Sequence, residues 1–562
     1  MKTTKISIYI LIIQTVFLTT NCQNKSSKTE TSLTSIDLLR GDITLCGSGQ
    51  FGEVSFSLSC DINVQESFDL AISLLHSFEY EEAEKAFAKV IDVDPKCAMA
   101  YWGVAMCNFH ALWRPPRVDD LKKGSLAIKI ARSLKEKTER ETQYIEAIAS
   151  FYNDWDIVDH HTRIARFENA METMYNTYPA DKEAAIFYAL ALNSAADLSD
   201  KTYKNRRKAG KILEGLLPNQ PNHPGITHYI IHSYDYPELA SMALSAARNY
   251  ASMAPASSHA QHMPSHIFTR LGLWEESIQS NLNATSSAQC YAEQVGMDGN
   301  WDEEIHGTDY LVYAYLQIGK INEAKKLLEY LKSVDKISPI GVKAAYPSAA
   351  IPARLYLETR QWDKAAKLEM PSKDFPSDQF PWSNGIIHFV RVLGAVHNGN
   401  IKDAKIDLEQ LNMCYQNLLD SNDTYMANQV MIMKKSAEAW IRYYEGNKEQ
   451  ALNLMTISVA MESNTEKHSL TPGEVVPAQE LLGDLFMKLN KPSEALKAYE
   501  LNLKNRPNRF NGVYGAAVSA KAAGDEEKAY MYFQMLLKLT RSSDSDRPEL
   551  EEAREFVGLN KS

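Results

Sequence analysis

The chain is poor in cysteine and has no basic run, and both absences narrow what it can be. Seven cysteines are spread over 562 residues and none sits in a tight metal-ligand pair, so the zinc-finger and zinc-ribbon patterns do not apply. With no basic run and a formal net charge of −11, no nucleic-acid partner is expected, because a phosphate backbone is bound by concentrated positive charge. There is no serine–histidine–acid order, no phosphate-binding glycine loop and no zinc-protease motif. Past the N-terminus, no apolar stretch is long enough to cross a bilayer. Glycine and proline are modest in number, 25 and 21, and well dispersed, which suits long helices joined by short turns.

What is present describes a folded protein. Hydrophobic residues make up 44% and charged residues 23%, an ordinary globular balance. The length exceeds what one core supports, so the chain holds several domains or one stacked array.

Residues 1–22 stand apart. Lys2 and Lys5 precede an apolar run from Ile6 to Leu18, long enough for the core of a signal peptide and short for a membrane span. The run ends at Thr19-Thr20-Asn21-Cys22 and a polar tail follows. This resembles a bacterial lipoprotein signal, which implies lipid on Cys22, a membrane anchor and a place in the cell envelope, at the outer membrane. An ordinary secretory signal with an incidental cysteine is the alternative. Residues 23–62 read as a tether and a short hairpin-like segment: Cys46 and Cys60 flank an alternating run, Val54 to Leu58, and a disulfide between them would close it. Cys97, Cys107, Cys290 and Cys414 fall in helical patterns and read as buried small hydrophobes.

From 63 to 541 the sequence repeats. Leu482-Gly483, Phe486, Ala495, Tyr499 and Pro507 have the spacing of a tetratricopeptide (TPR) repeat, and Ala529 and Phe533 return 34 residues after Ala495 and Tyr499. Tyr80 to Ala83, Phe87 and Pro95 form a similar unit near the start. Ala209, Ala243 and Ser277 keep the same interval in the middle. The expected fold is all-α, a TPR-type right-handed helical solenoid of roughly nine or ten helix pairs, with 542–562 as a C-terminal tail.

Histidine is concentrated. Seven of the 14 lie between 223 and 306. In repeat frames 224–257, 258–291 and 305–338, His228 is equivalent to His262 and His232 to His266. His259 and His306 also share a place, and the third frame carries Asp309 and Tyr313. Spacings of three and four put each set on one helix face. First helices line the concave side of such a solenoid, so His228, His232, His259, His262, His266, His306 and Asp309 are expected to converge as ligands of a transition metal, Zn, Cu or Fe. Tyr234, Asp235, Arg270, Trp301 and Tyr313 are expected to line the same groove. Pro264 either starts a helix or kinks one. The 13-residue insertion Ala292 to Glu304 reads as a lid or as a solvated loop.

The segment His223-Pro224-Gly225, His228, Ile231-His232-Ser233-Tyr234-Asp235 and His259-Ala260-Gln261-His262-Met263-Pro264-Ser265-His266 resembles a recurrent family of bacterial TPR proteins. The likeness extends to Phe187 through Leu192, to His306 with Asp309-Tyr310, and to Pro507 through Phe510. It implies a fold and no settled activity.

Three functions compete. The base-rate reading is a scaffold for a peptide or partner protein in the envelope. The second is a metal site or metal-dependent enzyme, in which Asp309, Asp235 or Tyr234 would supply a base; no catalytic residue is assigned. The third is glycan capture, with Trp102, Trp113, Trp301, Trp382 and Trp440 as stacking faces and the equivalent pair His76 and His110 extending a polar groove.

Overall fold

A computed structural model describes residues 36–47, 50–112, 115–197, 199–371 and 375–558; Cys22, its signal and Trp113 lie outside them. Among the described residues the chain is a succession of antiparallel helix pairs, and its one sheet is a pair of two-residue strands, β1 (Asn300–Trp301) and β2 (Ile337–Ser338). The fold is the TPR-type helical solenoid that the period predicts.

Local chemistry sets the helix boundaries. Thr138 and Glu141 form a reciprocal capping box, Asp181 caps the helix it precedes, and prolines such as Pro224 and Pro264 occupy first turns, where the missing N–H costs nothing. The repeat's small residues allow close crossing. A Cβ on Gly483 or Gly515 would fall within 2.6 Å of the Tyr499 ring, so both positions must be bare for that aromatic to fill the gap between pairs.

The helices around the histidines are α1 (Gln65–His76), α2 (Lys182–Ser194), α3 (Pro224–Tyr234), α4 (Ser258–His262), α5 (Pro264–Leu271), α6 (Trp274–Gln294), α7 (Asp302–Gln317) and α8 (Val342–Glu358). The first two frames open on α3 and on α4 with α5, while α7 begins three residues ahead of the third. One apolar core runs from Leu38 through Phe268 and another begins at Trp274. The histidines form a polar seam where the first gives way to the second.

Four expectations need correction. Val54 to Leu58 forms no strand; Phe56 is driven into the core against Phe68, Trp102 and Tyr144, and that burial replaces hairpin pairing. Cys46 bonds Cys290 and Cys60 bonds Cys97, because the segment lies across the helices and not on itself; among the described residues, Cys107 and Cys414 are the buried free thiols. The insertion is an ordered part of the stack, since it finishes α6, supplies β1 and packs Trp301 on Tyr291, ring centroids 4.6 Å apart. Residues Pro548–Val557 of the expected tail form another helix, with Leu550 and Ala553 buried. Among the described residues, no helix is long and apolar enough to cross a membrane.

Candidate metal centre

The histidines form two triads where one cluster was expected. In the first, His228 and His232 lie one turn apart on α3 and His259 comes from α4. His228 Nε2 is 3.0 Å from His232 Nε2 and 3.1 Å from His259 Nε2. His228 Nδ1 donates to the His76 carbonyl at 2.7 Å. A carbonyl can only accept, so the proton sits on Nδ1 and the Nε2 lone pair faces the other two rings. Phe78 closes one side of the triad, its centroid 4.5 Å from that of His228, and Tyr250 stacks on the other.

The second triad joins His262 of α4, His266 of α5 and His306 of α7. Met263 keeps a right-handed helical backbone, φ −53° and ψ −36°, so Pro264 starts α5 without turning the chain and both histidines share a face. His262 Nδ1 donates to Asn281 Oδ1 at 2.7 Å, while the Asn281 amide nitrogen is spent on the Ser277 carbonyl. His266 Nδ1 donates to the Asp235 carboxylate at 2.9 Å. Both protons are therefore fixed on Nδ1, and two bare Nε2 lone pairs face each other at 3.1 Å. The His306 ring lies 4.4 Å from that of His262.

In each triad, one ring nitrogen per residue lies within 4.8 Å of the other two. Metal–imidazole bonds of 2.0–2.1 Å in tetrahedral array separate ligand nitrogens by about 3.3 Å, so small shifts would admit an ion. Burial drives the imidazole pKa values down: His228 to about 3, and His232, His259, His262 and His306 well below the usual range. Neutral imidazole is the form that binds metal. The Nδ1–H donors to a carboxylate, an amide and a carbonyl are the outer contacts that orient ligating histidines.

A third group, His76, Glu183 and His223, stands behind the first triad. Both rings approach one carboxylate, His223 Nε2 at 2.7 Å and His76 Nε2 at 3.0 Å. Burial opposes ionisation of Glu183, but the His223 and His76 rings hold its carboxyl well below the usual range. His76 thus orients His228 through its backbone. His110, equivalent to His76 in the repeat, lies by Asp120 and Tyr80.

Asp309 is the expected ligand that the structure moves elsewhere. It pairs with Arg354 of α8, Nε to Oδ1 3.0 Å, and both side chains are fully buried. A buried guanidinium needs an anion, and Asp309 supplies it one turn beyond His306. Of the groove residues, Asp235 and Arg270 belong to the centre as an ion pair of 2.8 Å. Tyr234 does not: its hydroxyl donates to Glu214 on the far side. Tyr313 is held between Arg354 and Arg509, and Trp301 packs on Tyr291. Trp102 and Trp440 are core, and Trp382 lines a small pocket with His468 and Lys467.

The cover is one that the sequence reading missed. Residues 464–477, between two helices of the C-terminal half, cross over the seam. Lys467 Nζ reaches Asp235 at 3.4 Å, and burial lowers its pKa to about 8. Tyr310 donates to the Thr471 carbonyl at 3.1 Å and lies 3.3 Å from His266 Nε2. Arg354 donates to the carbonyls of Gly473 and Glu474. The available signal was length, because a connection longer than a dozen residues between helices is uncommon and tends to be functional.

A tetratricopeptide-repeat family model matches residues 68–112. No curated protein sequence matches the chain. Among solved structures, yeast Tom70 is 12% identical with a TM-score of 0.33, over 89% of this chain and 96% of that one. A tetratricopeptide repeat protein from Parabacteroides merdae is 14% identical with a TM-score of 0.28, over 54% and 99%. A human IFIT1 dimer with m7Gppp-AAAA is 12% identical with a TM-score of 0.34, over 86% and 98%. A helical-repeat fold of this kind is that of a protein-interaction scaffold in general.

Proposed function

We propose that this protein is an envelope-anchored TPR-type protein whose task is to hold a transition metal in its histidine seam. The observation that carries the reading is the face-to-face placement of the His262 and His266 Nε2 lone pairs at 3.1 Å, each with its Nδ1 proton already committed. Two bare lone pairs at that distance repel, and a shared cation turns the repulsion into binding. Protonating one ring would serve as well, but burial makes that expensive.

The peptide-scaffold reading is weaker at this level of the groove, because the chain's own 464–477 segment occupies it. Glycan capture loses Trp102 and Trp440 to the core. Export is supported by the two disulfides, which persist in oxidising compartments. Anchoring through Cys22 rests on the signal alone, and Cys22→Ser is expected to move the protein from the membrane to the soluble fraction.

The test is metal content of the exported chain lacking residues 1–22, followed by zinc and copper titration of the metal-free protein. The His262→Ala/His266→Ala variant runs in parallel, with helix content checked by circular dichroism. Stoichiometric binding that the variant loses supports the reading. Equal, weak uptake by both proteins sinks it and leaves the histidines as structural polar contacts.

A further inference from the structure

The two triads share one helix. His259 completes the first and His262 belongs to the second, three residues apart on α4. Side chains at that spacing are surface neighbours, with Cβ atoms about 5–6 Å apart. The flanking pairs are also brought together, because His266 of the second triad is bonded to Asp235, the residue that ends α3 and so follows His228 and His232 of the first.

We infer that the two triads are halves of one binuclear centre, holding two first-row transition ions side by side with a small exogenous anion, such as hydroxide, between them. The inference rests on the metal-binding reading above and goes beyond it in number, arrangement and ligand. The ions come out as neighbours because α4 presents one ligand to each triad within a single turn.

The anion follows from charge. All six ligands are neutral imidazoles, so two divalent ions would add four positive charges to a buried seam. The carboxylates nearby offset little of this. Asp235 is matched by Arg270 and Lys467 and Glu303 pairs with Lys343, while Glu79, which accepts from the neutral Ser257 hydroxyl, can offset one charge of the four. Uncompensated buried charge is strongly unfavourable. The rest of the compensating charge comes from solution, and between the ions both attract it. Three protein nitrogens per ion leave a coordination position free for it, as in metal sites that keep an exchangeable ligand. The class of molecule that this centre takes is accordingly a small anion able to bridge two metals.

Copper(II) titration of the full metal-free chain, read by electron paramagnetic resonance, tests the pairing. The expected result is two coppers per chain, with a spin signal that grows over the first equivalent and falls over the second as neighbouring ions couple through the bridge. Azide should then shift the optical spectrum of the doubly loaded protein. His232→Ala and His306→Ala, one from each triad, should each bind a single copper with its full spin. Two coppers that both keep full, independent spins would overturn the pairing while leaving metal binding intact. One copper per chain in the wild type would do the same. No copper bound at all would remove the metal-binding reading itself. The spin count needs no variant, so the test stands even if a substitution prevents folding.

Discussion

Ring tautomers decide the chemistry at the residue scale. An imidazole whose Nδ1–H is bound to an obligate acceptor has no choice but to present a bare Nε2, and His228, His262 and His266 are all in that position. Asn281 is the cleanest probe, because it touches the centre only through His262 and Ser265. Asn281→Ala should weaken zinc binding by about 10–100-fold, the usual effect of removing an outer contact, with helix content unchanged. Competition against a chelator of known affinity measures it, and wild-type affinity in the variant would show that the contact does not orient His262. Gly225 is a second probe. Its Cβ would stand 2.6 Å from His76 Nδ1, so the glycine of the His-Pro-Gly run is bare to make room for a ring on another helix. Gly225→Ala should destabilise the fold by about 1–3 kcal/mol through overpacking, read as a lower urea midpoint with unchanged slope.

At the element scale, what was legible in the sequence was what repeats. Ala495 with Tyr499 and Ala529 with Phe533 mark helix pairs because stacking imposes one geometry on each pair, and His228 with His262 inherits its equivalence from the same cause. The pairing of Asp309 was not legible: the period assigns its place correctly, but Arg354 in the next unit takes the carboxylate. Nor was the 464–477 crossing, because Lys467 meets Asp235 across 232 positions and such a contact leaves no periodic trace. The disulfide partners failed for the same reason, Cys46 and Cys290 being 244 apart. Arg354 joins the two failures, since its guanidinium binds Asp309, Tyr346 and the carbonyls of Gly473 and Glu474. Arg354→Met should cost about 3–5 kcal/mol by stranding a buried carboxylate. Adding Asp309→Leu should recover part of that loss, since the stranded charge goes with it. If the double variant is as unstable as the single in urea denaturation, the carboxylate is not the source of the cost.

At the scale of the whole molecule, the buried histidines act together on stability. Each is neutral in the fold and would take up a proton near pH 6.5 once exposed. Burial holds His228 near 3, and His160, His397 and His468 near 4; His232, His259, His262 and His306 are shifted the same way. Between pH 6.5 and 4 the unfolded chain therefore binds more protons than the folded one, and stability must fall as the pH falls. Four buried acids oppose this, because burial raises Glu79 and Glu462 to about 7 and lifts Asp309 and Glu480 above the usual carboxylate range, and all favour the fold as they protonate. They are outnumbered, and each group contributes up to about 1.4 kcal/mol per pH unit, so the histidines set the sign. The metal-free protein should accordingly lose thermal stability steadily from pH 6.5 towards 4, well before the ordinary carboxylates protonate. His397 is the control outside the metal centre, since it stacks on Trp362 with ring centroids 4.0 Å apart and donates to the Leu393 carbonyl. His397→Gln should flatten the slope without affecting zinc uptake. Metal should deepen the dependence, because protons and ions compete for the same Nε2 lone pairs. Melting curves across this window, with and without zinc, decide the matter. A melting temperature that stays level from pH 6.5 to 4.5 in the metal-free protein would mean that the rings are not held neutral by burial, and the case for their readiness to bind metal would go with it.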